Sequence, residues 1–233
     1  MFSGTFDTTD VFPAAMAALL GVLLGVWSAR LAQAYEQALA NGHPADAATL
    51  KQAFKASLRQ SARAAAPSAL ILAAVLFWAC LQHGWSLYFL ALSFAAFVLC
   101  SLALIDWRTG LLPDALNYPL LAAGLLVAAW PTTHLVLYSA ILGAALGFGF
   151  LWLLTWMFRL IRQVDGMGQG DFKLAAALGA WCGAYNLLIV LFLASLAGVL
   201  FSMWHQRTLR PTGAYPFGPF LAGAGLFVLL AAG

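Results

Sequence analysis

The chain has 233 residues, 64% of them hydrophobic and 8% charged, with a formal net charge of +3. Soluble domains carry about 25% charged residues, so this composition excludes an ordinary soluble domain and describes a protein built for a lipid bilayer. The length suits one membrane domain of seven or eight spans, and no nucleic-acid partner is expected.

The start, MFSGTFDTTDVFP, has no basic region ahead of its apolar run. The first apolar segment, about 11–29, is therefore expected to be a retained span rather than a cleaved signal. A polar stretch, 30–64, follows. Its PADAATLKQAFKASLRQSARAA run spaces Lys and Arg at near-helical intervals among alanines. That pattern fits either a basic amphipathic helix on the inner leaflet or a solvated connector helix. Further spans are expected at about 65–82, 86–105, 115–130 and 134–158. A short segment, about 171–182, a longer one, about 184–204, and a last span, about 217–232, complete the chain. The segment near 171–182 is short for a span, and is either half-inserted or continuous with its successor through Gly183. The expected fold is thus all-α and polytopic, with about eight transmembrane helices and an amphipathic cytoplasmic segment after the first. Residues 1–64 form an N-terminal span with a basic connector, and 65–233 form the membrane core.

Charge tests this topology. With eight spans and an outside N-terminus, all eleven basic residues fall on one face: Arg30, Lys51, Lys55, Arg59, Arg63, Arg108, Arg159, Arg162, Lys173, Arg207 and Arg210. Positive residues mark the cytoplasmic side. The external side keeps Asp7 and Asp10. The three cysteines, Cys80, Cys100 and Cys182, lie apart in apolar segments and read as small packing residues, with no metal site or disulfide framework expected. His43, His83, His134 and His205 are scattered, as loop or interface residues are.

Six carboxylates remain on the cytoplasmic side. Glu36 and Asp46 fall in the connector and read as solvated. Asp165 reads as a turn residue. Asp106 ends the third span in LALIDWRTGLLPDALNYPL, where it meets the negative end of the helix dipole. A structural role explains that placement poorly. Asp114, after Pro113, reads as an N-cap of the fourth span. Asp171 opens the short segment behind GMGQGD, whose glycines at 166, 168 and 170 permit unusual backbone angles and close approach of another chain. An extended peptide substrate needs such access to its amides. A phosphate loop is disfavoured, because no GKS/T ending follows and Asp171 would repel phosphate.

Asp106 and Asp171 could therefore meet at the cytoplasmic ends of two segments and share one proton. One would act as general base toward water, the other as general acid toward the scissile carbonyl. The dipole argument makes Asp171 the ionised member and Asp106 the protonated one. Lys173 either pairs with a carboxylate of the site or anchors the segment at the headgroups, with the anchor preferred. Arg108 reads the same way. Trp107 and Trp181 read as interfacial aromatics. GAALGFG (143–149) and AGAG (222–225) are small-residue patterns that pack helices, here expected within one chain.

At these residues the sequence resembles the prepilin peptidases, or type IV leader peptidases, which are polytopic aspartyl proteases of the bacterial inner membrane. Their GxGD motif reads here Gly168-Gln169-Gly170-Asp171. The family's first aspartate stands at a helix end a few residues before an LPD-like turn, which places Asp106 in the catalytic position and Asp114 in the turn. The closing YPFGPFLAGAGL is similar to the family's final span, and the resemblance covers about 86–233. It implies cleavage of the basic leader of type IV prepilins or pseudopilins at the cytoplasmic face, with Gly168, Gly170, Lys173 and Asp114 in support and membrane lipid as surroundings. Bifunctional members also N-methylate the new terminus and carry paired CxxC motifs in a cytoplasmic segment. Residues 30–64 contain no cysteine, so no cofactor is expected, and S-adenosylmethionine would be needed only if methylation persists. Rival readings are a scaffold or transporter of a pilus or secretion machine, and a presenilin-like or signal-peptide-peptidase-like protease. Transporter carboxylates tend to lie mid-span, and the LPD turn speaks against the second protease class.

Overall fold

A computed structural model describes residues 8–59, 65–131, 135–162, 168–206 and 215–232. The described residues fold into helices and their connections, with no strand. In chain order these are α1 (Thr8–Ala40), α2 (Ala47–Ser57), α3 (Ala66–His83), α4 (Leu87–Thr109), α5 (Asp114–Ala128), α6 (Leu137–Arg162), α7 (Gln169–Gln206) and α8 (Gly218–Ala232). The segments Val11–Ala40, Ala66–His83, Leu87–Thr109, Leu137–Ile161 and Gln169–Gln206 are long and apolar enough to cross a membrane. The chain is accordingly a multi-pass helical membrane protein. α5 and α8, at 15 residues each, reach about 22 Å, short of a hydrocarbon core of about 30 Å.

Local chemistry sets the boundaries. Ser86 caps α4 by accepting a hydrogen bond from Phe89 N at 3.1 Å. At the other end Gly110, at φ 66°, closes α4 in the left-handed region, which a residue without Cβ enters at no steric cost. Pro113 then holds an extended backbone and starts α5. Asp46 caps α2 through Thr49 N at 2.8 Å. α1 runs eleven residues past the expected end of the first span, so Glu36 lies on a helix rather than in a solvated connector.

α7 consists of two arms. Gly183 interrupts it with φ 78° and ψ 171°, a region essentially restricted to glycine. Asp171 lines the same cleft as Asp106, and Phe201 meets Trp107 edge-on with ring centroids 5.5 Å apart. A straight helix would separate residues 171 and 201 by about 45 Å. The arms 169–182 and 184–206 therefore fold back on each other. The glycine that the sequence left as either a boundary or a join is a sharp reversal.

Close helix contact holds the first arm in place. A Cβ at Gly143 or Gly147 would run into the backbone of Gly179 or Ala175 respectively. Small residues let helix backbones approach within van der Waals range, which is what favours association in lipid, where apolar burial alone gives little. The GAALGFG pattern thus packs within the chain, as does Gly225 of AGAG against Leu178. Trp181 is buried, and its Nε1 donates to Leu120 O at 2.8 Å. It pins the first arm to α5 and is no interfacial aromatic, because a tertiary carbonyl satisfies its one donor.

The amphipathic segment is α2, and it docks on protein. Leu50 and Ala53 are buried with Leu31, Tyr35 and Ile105, on α1 and α4. Phe54 and Leu58 stay exposed.

Candidate active site

The LPD turn, the glycine-rich approach and the start of α8 converge at one end of the helical bundle. Asp106 sits in the last turn of α4, 5% exposed, and Asp171 in the first turn of α7, 8% exposed. Both line a cleft of about 440 Å³ with the turn 110–115 and residues 168–171. Sixty-five residues separate the two in sequence, so the fold has made the pair.

Each carboxylate is held differently. Gly218 N donates to Asp106 Oδ2 at 3.0 Å. Gly218 is the first residue of α8, so Asp106 meets the positive end of that helix as well as the negative end of its own. The dipole argument for a protonated Asp106 counted only α4. α8 offsets it, and the proton belongs to the pair. A Cβ on residue 218 would lie 2.6 Å from Asp106 Oδ2 and 3.2 Å from Leu112 Cδ1, so the contact requires glycine. Asp171 N donates to Gly168 O at 3.2 Å. Its Oδ1 is buried with no hydrogen-bond partner. Such an atom is costly to leave bare and marks a place for water or substrate.

The glycines of the approach do unequal things. A Cβ on Gly170 would stand 2.6 Å from Leu112 Cβ, so Gly170 lets the first turn of α7 lie against the LPD turn. Gly168 is exposed, and a Cβ there would make only an ordinary contact, 3.7 Å from Asp171 Oδ2. Its contribution is the carbonyl that Asp171 N meets. Gly166 and Asp165 lie outside the described residues.

The neighbouring charges are paired away from the two aspartates. Lys173 Nζ donates to both oxygens of Asp114, at 2.7 and 2.6 Å, and stands 5.6 Å from the Tyr118 ring centroid. Lys173 is therefore the ion-pair partner of Asp114. Asp114 makes no capping bond, since Pro113 is the N-cap residue, and its carboxylate turns to the lysine. Arg108 donates to Glu36 at 2.7 Å, tying α4 to α1 and leaving Asp106 alone. Among the described residues no cation pairs with Asp106 or Asp171. No group of three or more His, Cys, Asp or Glu among them could hold a metal ion.

Sequence reasoning missed Gly218 and Leu112. The FGPF start of α8 carried a signal, a glycine just before a helix-starting proline. Its partner, 112 residues away, could not be read from it.

Fold and site together define a class, a multi-pass helical membrane protein with a buried pair of aspartates at one end. Residues 92–203, just under half of the chain, match the type IV leader peptidase family. That segment holds Asp106, Asp114 and Asp171. Curated proteins are similar over much the same stretch. The chain is 46% identical over 142 residues to the prepilin leader peptidase/N-methyltransferase of Burkholderia pseudomallei, covering 58% of this chain and 45% of that one. It is 43% identical over 155 residues to the protein of that name in Xanthomonas campestris pv. campestris, covering 64% and 54%. For Escherichia coli the identity is 44% over 123 residues, covering 52% and 54%. The chain thus spans about half the length of the curated relatives it matches. No solved structure matches it.

Proposed function

We propose that this chain is an aspartic endopeptidase that removes the leader from type IV prepilins or pseudopilins. The observation that carries this reading is the buried pair, Asp106 and Asp171, which lines one cleft and meets no cation among the described residues. Two carboxylates so placed cannot both ionise cheaply, so they hold one proton between them. The ionised member takes a proton from water, and that water attacks the scissile carbonyl carbon. The protonated member donates to the carbonyl oxygen. In collapse of the tetrahedral intermediate the proton passes to the leaving nitrogen and the C–N bond breaks. Asp171 Oδ1, lacking a partner in the protein, faces the water or the substrate. Gly218 N–H fixes the orientation of Asp106.

The peptidase step proposed here uses no metal or cofactor. N-methylation, which the relatives' name includes, is left out of the proposal: the stretch 30–64 lacks cysteine, and the paired CxxC segment of bifunctional members has no counterpart there. The proposed setting is the bacterial inner membrane, N-terminus outside and cleft at the cytoplasmic face. The eleven basic residues, all on that side when eight spans are drawn, support it.

Co-expression of a prepilin with wild type, Asp106→Asn and Asp171→Asn tests the reading, followed by intact mass. Wild type should release the leader and both variants should fail while remaining folded. A wild type that leaves several prepilins uncut would refute the proposal. The mass of the product reports methylation in the same experiment.

A further inference from the structure

Part of the lining of the cleft that holds the two aspartates comes from the N-terminal part of the chain. Tyr35 of α1 and the connector residues Ala45, Asp46 and Ala47 complete the lining. This places a third kind of carboxylate there. Asp46 is exposed at the rim, neither buried like Asp171 nor ion-paired like Asp114. Asp46 Oδ1 accepts from Thr49 N, and that bond fixes the side chain at the start of α2. Among the described residues the lining holds Asp46, Asp106, Asp114 and Asp171 against one cation, Lys173. Asp114 neutralises Lys173 through both oxygens. Lys51 and Lys55 lie further along α2, outside the lining, and Arg108 is bound to Glu36. The cleft therefore carries an excess of negative charge, and two of its carboxylates are committed to chemistry. Asp171 Oδ1, buried and without a hydrogen-bond partner among the described residues, points to a water or ligand atom at the same cleft.

We infer that Asp46 is a specificity-determining residue that receives a cationic side chain of the peptide substrate at the cleft rim, so that α2 and its connector select positively charged leaders. The inference rests on the peptidase reading above and adds to it a recognising residue outside the segment matched to the family. The geometry also separates this role from the structural one. Asparagine caps a helix as well as aspartate does, so Asp46→Asn keeps the bond to Thr49 N and removes only the charge. An exposed ion pair is weak and screened by salt, so the effect belongs in KM and fades as salt is added.

The test uses the purified full chain in a bilayer and two versions of one recombinant prepilin. One version has its leader lysines intact, and the other has each changed to glutamate. Wild type should cleave the lysine leader with the lower KM. Asp46→Asn should raise that KM by about fivefold at low salt, leave kcat and the melting temperature unchanged, and narrow the gap between the two leaders. The KM difference should shrink at high salt. Equal KM values for wild type and Asp46→Asn on the lysine leader at low salt would overturn the inference while leaving the peptidase reading intact. A change in kcat or melting temperature without a change in leader preference would also overturn it, as a purely structural effect. A wild type that cleaves neither leader would overturn the peptidase reading and the inference with it.

Discussion

Two sets of carboxylates sit at the same end of this molecule. Asp114 and Glu36 are partly exposed, and each meets a cation at 2.6–2.7 Å. Asp106 and Asp171 are buried and, among the described residues, meet none. The first arrangement is what helix-to-helix fastening needs, a weak contact in water that orients elements. The second would be poor fastening, because burial carries a desolvation cost that no cation among the described residues offsets. Lys173 and Arg108 are engaged by Asp114 and Glu36, and among the described residues no cation meets the interior pair.

That difference can be broken most sharply at the pair itself. Asp106→Asn and Asp171→Asn should each lower leader cleavage by at least about a hundredfold, the lower end for a lost acid–base group. The melting temperature should hold or rise, because no ion pair is lost and a buried charge is removed. Cleavage and thermal unfolding of the same preparations check both halves, and a large fall in stability would mean that these aspartates are structural.

Gly218→Ala should come next. The added methyl collides with Asp106 Oδ2 and Leu112, so a loss of about 1–3 kcal/mol is expected, with activity reduced at least about tenfold. Combining it with Asp106→Ala removes the main obstacle. The stability cost of Gly218→Ala should then fall, and an unchanged cost in that double-mutant cycle would place the strain elsewhere.

Gly183→Ala tests the reversal that carries Asp171 to the cleft. Its backbone angles exclude a side chain, and a Cβ would meet Ser139 Oγ at 2.7 Å. A destabilisation of about 1–3 kcal/mol is expected, with cleavage reduced in proportion to the folded fraction. A loss of activity without a loss of stability would give Gly183 a role beyond the turn.

The smallest effect belongs to the rim. Lys173→Met should cost about 0.2–1 kcal/mol after allowing for solvent screening at an exposed pair, and less at high salt. A double-mutant cycle with Asp114→Asn measures the coupling directly. A cost of several kcal/mol would show that the rim pair is as sensitive as the buried one and would dissolve the contrast between them.

Much of the site was legible in the sequence because its signals are local. LIDWRTGLLPD writes a helix end, a left-handed glycine and a proline restart within eleven residues, and GMGQGD writes glycine access to a carboxylate. These gave Asp106, Asp171 and Gly170. The assignments that changed concern partners. Asp114 was read as a cap and binds Lys173. Lys173 and Arg108 were left between a carboxylate partner and a headgroup anchor, with the anchor preferred, and each takes a carboxylate; Glu36 was read as solvated and meets Arg108. Trp181 was read as interfacial and is buried against α5. Each of these residues has several acceptable neighbours within its own helix, and the one it takes lies on another.

By itself, then, the sequence pointed to the lipid setting, the helical class and the two aspartates, because hydropathy, caps and backbone angles act over a few residues, while it left Gly183 between a boundary and a join. Only the tertiary structure decided that Asp106 meets the start of α8 through Gly218, that the rim cations are already taken, and that the connector before α2 walls the cleft. Those contacts span 72 and 112 residues in the cases of Arg108 with Glu36 and Gly218 with Asp106. Contacts of that range are fixed by which helix faces pack together, and no local preference encodes them.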